Sequence, residues 1–417
     1  MMKRLVGKVV LAVTAVAITV LAAEPMLRFL RPFNMNHKTF AMRYDPLLGW
    51  SKTPNLRGRY AEGDAGDLEA LNSRGLRGPE YPYEKPVGEY RILVLGDSFA
   101  EGRLVAFHDM TSEVLKRTLN ATADGRRYQA ISAGTGGYST DQALLFFTSE
   151  GTKYAPDLTV LMFYENDVWY NAQRRANRGR KPFFRLEGER LVLDGVPVPP
   201  PDAGAGSDQG PARVPSLLRG LNAWLGVHSA VYQLVYDVVS TPPSLASAVR
   251  GDDAAGQRRA APVPDEFRVW RRKYDDETVH AWRVTEALLR ELQREVRRIG
   301  GDFVVLYVPT AAEIQPERWA ATREHYGLSE EDWDITRLES ELEATCRRNG
   351  IHFVNPGPAL RDAAVRPWLS RVPLYFELDP HWTPEGHRVA GELLAAYVRE
   401  HLLPDGHVSA ARVRRTR

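Results

Sequence analysis

The chain has 417 residues, of which 43% are hydrophobic and 26% charged, a composition that excludes a wholly disordered chain, a collagen and a polytopic membrane protein. Its 55 Lys and Arg nearly balance 53 Asp and Glu, so no global charge favours nucleic acid as a partner. One cysteine, Cys346, excludes an intrachain disulfide framework and a zinc site built on a cysteine cluster.

The first element is apolar. Lys3, Arg4 and Lys8 precede an uncharged run over residues 9–23. A basic flank followed by such a run at the N-terminus is the export pattern. A cleaved signal peptide would use the small residues Ala22 and Ala23; an uncleaved anchor over residues 1–30 is the favoured reading. Arg28 and Arg31 follow the run, but three cations and the amino terminus precede it. That balance places the body outside the cytoplasm, in the periplasm, tethered to the cell membrane. Secretion after cleavage is the alternative.

Residues 31–90 are rich in Pro, Gly and Arg, with turn signals at Pro54-Asn55 and Arg74-Gly75. They read as an irregular arm that packs on the body, which spans residues 91–402. Short apolar runs predict strands over 91–95, 128–132, 158–163, 303–308 and 351–354. Helices are expected around Val114, Leu115 and Leu119, over 282–299 with Leu288, Leu292, Val296 and Ile299 on one face, and over 338–346. Thr383-Pro384 opens a last helix, expected to bury Val389, Leu393 and Tyr397. Strands alternating with helices predict an α/β class: a three-layer, doubly wound parallel sheet of about five strands. Ligands then gather at the carboxyl ends of the strands.

Residues 171–264 break the pattern between the third and fourth strands. Prolines crowd 197–201, Asp and Gly crowd 202–210, and Pro242-Pro243 follows a short amphipathic piece over 217–239. This insertion reads as part loop and part helix, either a lid or substrate surface or a silent loop. Residues 403–417 form a basic tail.

The chemistry sits at the strand ends. Gly96-Asp97-Ser98 closes the first strand. A serine at a tight strand-to-helix turn stands above the sheet as a nucleophile, with its own N–H turned toward a bound carbonyl oxygen. It needs a base. Asp379-Pro380-His381 precedes the last helix, so Asp379 can orient the imidazole of His381 from its far nitrogen. His387 is the rival base, but it falls inside the helix, where it packs or caps. Asp379 and His381 could also ligate a metal, yet no third ligand shares the spacing, so no metal and no cofactor is expected. The glycine-rich segment 134–137 after the second strand lets a backbone N–H approach an oxyanion, and Asn166 after the third supplies a side-chain donor.

Taken in order, these blocks resemble the SGNH (GDSL-type) hydrolases over residues 44–402. The resemblance implies an SGNH, flavodoxin-like fold with Ser98 as nucleophile and Asp379 and His381 as the acid–base pair. The oxyanion hole would be formed by Ser98, Gly137 and Asn166. The arm, with Leu48-Gly49-Trp50, Pro54-Asn55 and the segment 72–78, is similar to one found in bacterial membrane-anchored members. Ser132 stands where the family usually has Asn, and Tyr164 where it has Gly. The Asp-x-His-Trp form of the last block resembles that of the alginate-type O-acetylation proteins.

The expected function is a serine esterase that removes acyl groups, O-acetyl in the first place, from an envelope or extracellular glycan or lipid through an acyl-enzyme. The first alternative is an O-acetyltransferase that modifies an envelope polysaccharide, with a membrane acyltransferase as partner. The second is a catalytically silent, anchored glycan-binding or assembly component, using aromatic residues such as Trp169, Tyr170, Trp224 and Trp270.

Overall fold

A computed structural model describes residues 2–30, 41–60, 69–122, 124–201, 216–240, 262–365 and 373–403. Within the arm, β1 (Met42–Asp45) and β2 (Gly49–Lys52) pair as an antiparallel hairpin. The body is built on β3 (Glu89–Leu95), β4 (Arg127–Ser132) and β5 (Leu158–Phe163). The insertion contributes a hairpin of β6 (Phe183–Glu187) and β7 (Arg190–Asp194), and β8 (Asp302–Tyr307) and β9 (His352–Val354) complete the body. The central sheet runs β9–β8–β5–β3–β4, all parallel. The five strands of the central sheet differ from the sequence reading only at their ends.

These runs become parallel strands because both faces are covered. All of β5 is buried, as are Ile92 to Leu95 of β3. Alternate residues feed two separate apolar layers. Leu93 and Leu95 face one layer with α4 (Thr140–Ser149), α8 (Asp276–Arg298) and α9 (Arg337–Arg348). Ile92 and Val94 face the other, with α3 (Thr111–Asn120) and α10 (Pro384–His401). Cys346 is buried in the first layer, and burial pushes its thiol up to about 12.

The last helix is rotated from the expected face. Val389 lies at the edge of the buried stripe, Leu394 and Val398 occupy it, and Leu393 and Tyr397 are half-buried. The reason is the small residues. A Cβ added to Gly391 would lie 2.7 Å from Val114, so α10 meets α3 through Ala390, Gly391 and Ala395. A stripe read from large side chains alone misses that centre. The β6–β7 hairpin is a second difference, since the insertion was expected to hold only loop and helix. Its burial does not alternate cleanly, with Phe183 and Phe184 both buried, so no strand period shows.

Two helices of the insertion, α6 (Ser216–His228) and α7 (Ala230–Ser240), meet the N-terminal helix α1 (Met2–Leu30). The Glu24 carboxylate accepts hydrogen bonds from the backbone N–H of Ala230 at 2.8 Å and from Ser229 Oγ at 2.9 Å. It thereby satisfies donors at the N-terminus of α7. Arg28 bonds Glu24 and the His228 carbonyl at the end of α6. The apolar run over 9–23 lies within α1; among the described residues, no helix is long and apolar enough to cross a membrane. The segments 202–210 and Pro242-Pro243, and the tail beyond residue 403, lie outside the described residues.

In the sheet order, β3 has β4 on one side and β5 on the other. This reversal makes a crevice at the carboxyl ends of β3 and β5, where ligands of doubly wound sheets bind.

Candidate active site

Ser98 opens α2 (Ser98–Glu101), a single turn at the end of β3. Gly96 has φ +141°, and a Cβ there would lie 2.8 Å from the Met162 carbonyl. Only glycine fits this close passage beside β5. Asp97 then caps the turn, its Oδ1 accepting from Phe99 N–H at 2.8 Å. The chain thus turns sharply and leaves Ser98 partly exposed above the sheet.

His381 reaches Ser98 from the loop before α10. Its Nε2 lies 2.7 Å from Ser98 Oγ, and its Nδ1 bonds Asp379 Oδ1. Asp379 also accepts from the His381 backbone N–H at 3.1 Å, and its other oxygen lies 3.5 Å from Arg103 Nε. Burial opposes ionisation of Asp379, but His381 and Arg103 outweigh it and hold the carboxyl down at about 2. A carboxylate facing Nδ1 keeps the proton there, so Nε2 is left to accept the Ser98 O–H. The Phe99 ring sits 4.7 Å from the imidazole, and Trp382, fully buried, meets Phe99 edge-on at 5.3 Å. Tyr164 packs on the same Phe99 ring at 4.7 Å.

His387 does other work. It is buried against Trp382, and its Nδ1 lies 2.8 Å from Thr111 Oγ1 and accepts from Thr111 N–H at 3.3 Å. Burial pushes its pKa down to about 3. It is a neutral packing residue at the start of α3 and makes no hydrogen bond to Ser98.

Gly137 has φ +80°, and a Cβ there would lie 2.7 Å from Asn177 Oδ1 of the insertion. Gly134, Thr135 and Gly136 are buried, while Gly137 is only partly so. Among the described residues, no acceptor takes the Gly137 N–H. Ser98, first in its helix, has no intrahelical acceptor for its N–H either. Asn166 begins α5 (Asn166–Asn171), with its Oδ1 buried and, among the described residues, without a hydrogen-bond partner. Next to it, Asp167 accepts from Tyr164 N–H at 3.0 Å and Thr140 Oγ1 at 2.9 Å, tying the end of β5 to the start of α4. Burial pushes Asp167 up to about 7; burial and the nearby Asp167 push Asp97 up to about 8.

The arm supplies residues that the sequence reading did not place here. Lys52 Nζ donates to the Gly134 carbonyl at 2.6 Å, and Trp50 Nε1 donates to the Gly136 carbonyl at 3.1 Å. Arg77, fully buried, donates to the carbonyls of Glu101, Gly102 and Val105. Burial lowers Lys52 to about 8. From the Ser98 turn itself, Glu101 accepts from Gly136 N–H at 2.7 Å and from Tyr60 O–H at 3.1 Å. Ser132, where the family has Asn, donates to the Ala100 carbonyl at 2.6 Å. A buried lysine, arginine and glutamate are unusual enough to mark a site, but burial is not visible before folding. Trp50, Arg77 and Glu101 stood in segments that drew notice, and Lys52 did not.

Of the aromatic residues considered for glycan binding, Trp270 is buried in the core and Trp169 lies under the Arg268 guanidinium. Tyr170 bonds Glu266, and Trp224 is exposed. Among the described residues, no group of three or more His, Cys, Asp or Glu is placed to hold a metal ion.

Residues 267–416 match the family model described as "SGNH hydrolase-like domain, acetyltransferase AlgX". This bears out the resemblance to SGNH hydrolases over a stretch that holds Asp379 and His381 but not Ser98. A curated relative from Pseudomonas aeruginosa, "Probable alginate O-acetylase AlgJ", is 30% identical over 118 residues. That match covers 28% of this chain and 27% of the relative, about a quarter of its length. Similar solved structures include an acetyl xylan esterase, AlAXEase, 12% identical, with 74% of this chain and 99% of that one covered and a TM-score of 0.37. The acetylxylan esterase Axe2 from Geobacillus stearothermophilus is 12% identical over 75% of this chain and 93% of its own, with a TM-score of 0.36.

Proposed function

We propose that the protein is a serine enzyme of O-acetyl esters that works through an acetyl-enzyme on Ser98, with an envelope glycan as substrate. The observation that carries this reading is the unbroken chain from Ser98 Oγ through His381 to Asp379, with 2.7 Å between Oγ and Nε2.

In the first half-reaction His381 Nε2 takes the Ser98 proton as Oγ bonds to the acetyl carbonyl carbon. The carbonyl π electrons move onto oxygen, and this oxyanion rests on the N–H groups of Ser98, Gly137 and the Asn166 side chain. Collapse breaks the bond to the sugar oxygen, which leaves as a hydroxyl with the proton returned by His381. In the second half-reaction His381 takes the proton of an acceptor hydroxyl as its oxygen attacks the acetyl carbon, and the adduct collapses by breaking the bond to Ser98 Oγ, which His381 reprotonates. Water gives acetate and an esterase; a glycan hydroxyl gives an O-acetyltransferase. The description of the matched family as an acetyltransferase favours the second outcome. The chemistry at Ser98 is common to both. We place the body at the outer side of the cell membrane, held by residues 1–30, where such glycans lie.

The test is a chromogenic acetyl ester with purified protein. Ser98→Ala should lose activity by about 10⁴-fold or more, and a serine-directed phosphonate should label Ser98 alone. Full activity in Ser98→Ala would sink the proposal. With ¹⁴C-acetyl donor, addition of a glycan acceptor diverts label from acetate to glycan if transfer is the physiological direction.

A further inference from the structure

The Trp50 indole N–H is spent on the peptide unit that bears the Gly137 N–H. Its Nε1 donates to the Gly136 carbonyl at 3.1 Å. A trans peptide is planar, with its C=O and N–H pointing in opposite directions. Holding the Gly136 oxygen therefore fixes the direction of the Gly137 N–H, which faces away from the indole. The same bond draws electron density toward the oxygen and makes that N–H a better donor. The preceding peptide is held as well, because Glu101 accepts from Gly136 N–H at 2.7 Å. The clamp closes on the far side, where Tyr138 O–H donates to the Trp50 carbonyl at 2.6 Å. The Trp50 and Tyr138 rings pack at 5.8 Å, and both residues are buried.

We propose that Trp50, a residue of the arm and not of the α/β body, is a positioning residue for the oxyanion hole. It aims the Gly137 N–H at the developing oxyanion through the Gly136–Gly137 peptide. The proposal rests on the reading of Ser98 and Gly137 given above. The geometry separates this role from packing. Packing needs the ring, whereas aiming needs the indole N–H and the carbonyl it meets. A glycine at φ +80° has no side chain to restrict its backbone, so an unclamped Gly136–Gly137 peptide is free to tilt.

The experiment uses the full chain with Trp50→Phe, which keeps an aromatic ring and removes the donor. On the chromogenic acetyl ester, kcat should fall about 10- to 100-fold, the scale of a misaimed catalytic group, with KM within about twofold. Affinity for methylboronic acid, whose tetrahedral adduct on Ser98 carries the oxyanion, should weaken by the same factor as kcat/KM. A purely structural role would lower the melting temperature and the active fraction but leave boronate affinity per active site unchanged, and that result overturns the proposal. Unchanged kcat and boronate affinity also overturn it, provided Ser98→Ala is inactive. Activity in Ser98→Ala would instead strike the underlying reading of the site. If Trp50→Phe does not fold by circular dichroism, Tyr138→Phe removes the far half of the clamp. It should lower kcat and boronate affinity together by several-fold, and no change in either overturns the proposal.

Discussion

His381 and His387 lie in one short stretch of chain and meet opposite surroundings. His381 is partly exposed, between a serine and a carboxylate that the same loop supplies. His387 is buried beside Thr111 and Trp382, and burial pushes its pKa from 6.5 down to about 3. Since the folded value lies below the unfolded one, the neutral form is what the fold holds. Its contribution is complete above pH 6.5 and is lost as pH falls toward 3, because the unfolded chain takes up the proton first. Between pH 7 and 5 this linkage is worth about 2 kcal/mol. Urea unfolding of His387→Gln should show a smaller drop over that interval than the parent chain, by about that amount. An equal drop in both would show that His387 does not carry the effect.

The elements that hold the site are the glycine segment and α2, pressed together without intervening side chains. A Cβ on Gly134 would lie 2.2 Å from Glu101 N and 2.3 Å from Ala100 C. Both are backbone atoms, so neither can swing away. Gly134→Ala should separate α2 from β4, cost about 2–4 kcal/mol in thermal or urea unfolding, and lower turnover by misplacing Ser98. Unaltered stability would mean that the contact is looser than its geometry. Such contacts explain what could be read beforehand. The strands of the central sheet were legible because each is a short apolar run, three of the blocks because each is a local motif at a strand end, and the fourth because it stands just before the capped start of α10. Trp50 and Lys52 were not assigned because their partners, Gly136 and Gly134, lie 86 and 82 positions away. Nothing local distinguishes a lysine that will be buried under a glycine carbonyl from a solvated one. The rotated face of α10 was missed for a related reason: close packing there depends on residues too small to register as apolar.

At the scale of the whole molecule, the arm bonds the glycine segment of the candidate site, whereas α1 meets the insertion helix α7. Removing residues 1–40 should release the protein from the membrane fraction and leave turnover on a soluble acetyl ester intact. Removing residues 1–88 takes away Trp50, Lys52, Tyr60 and Arg77 and should reduce turnover at least about 100-fold. Equal activity of the two truncated chains would exclude a part for the arm; membrane retention without residues 1–40 would exclude the proposed tether. The order of the sheet carries a further consequence. Ser98, Gly137 and Asn166 follow β3, β4 and β5, while Asp379 and His381 follow β9, and the two groups of strands pair where β8 meets β5 from Asp302↔Leu158 to Tyr307↔Phe163. The proposed triad therefore spans a seam. Its two sides are also bridged by α10 packing on α3, so loosening of that helix contact would part His381 from Ser98 while the strands kept their hydrogen bonds, and turnover is a more sensitive gauge of it than melting.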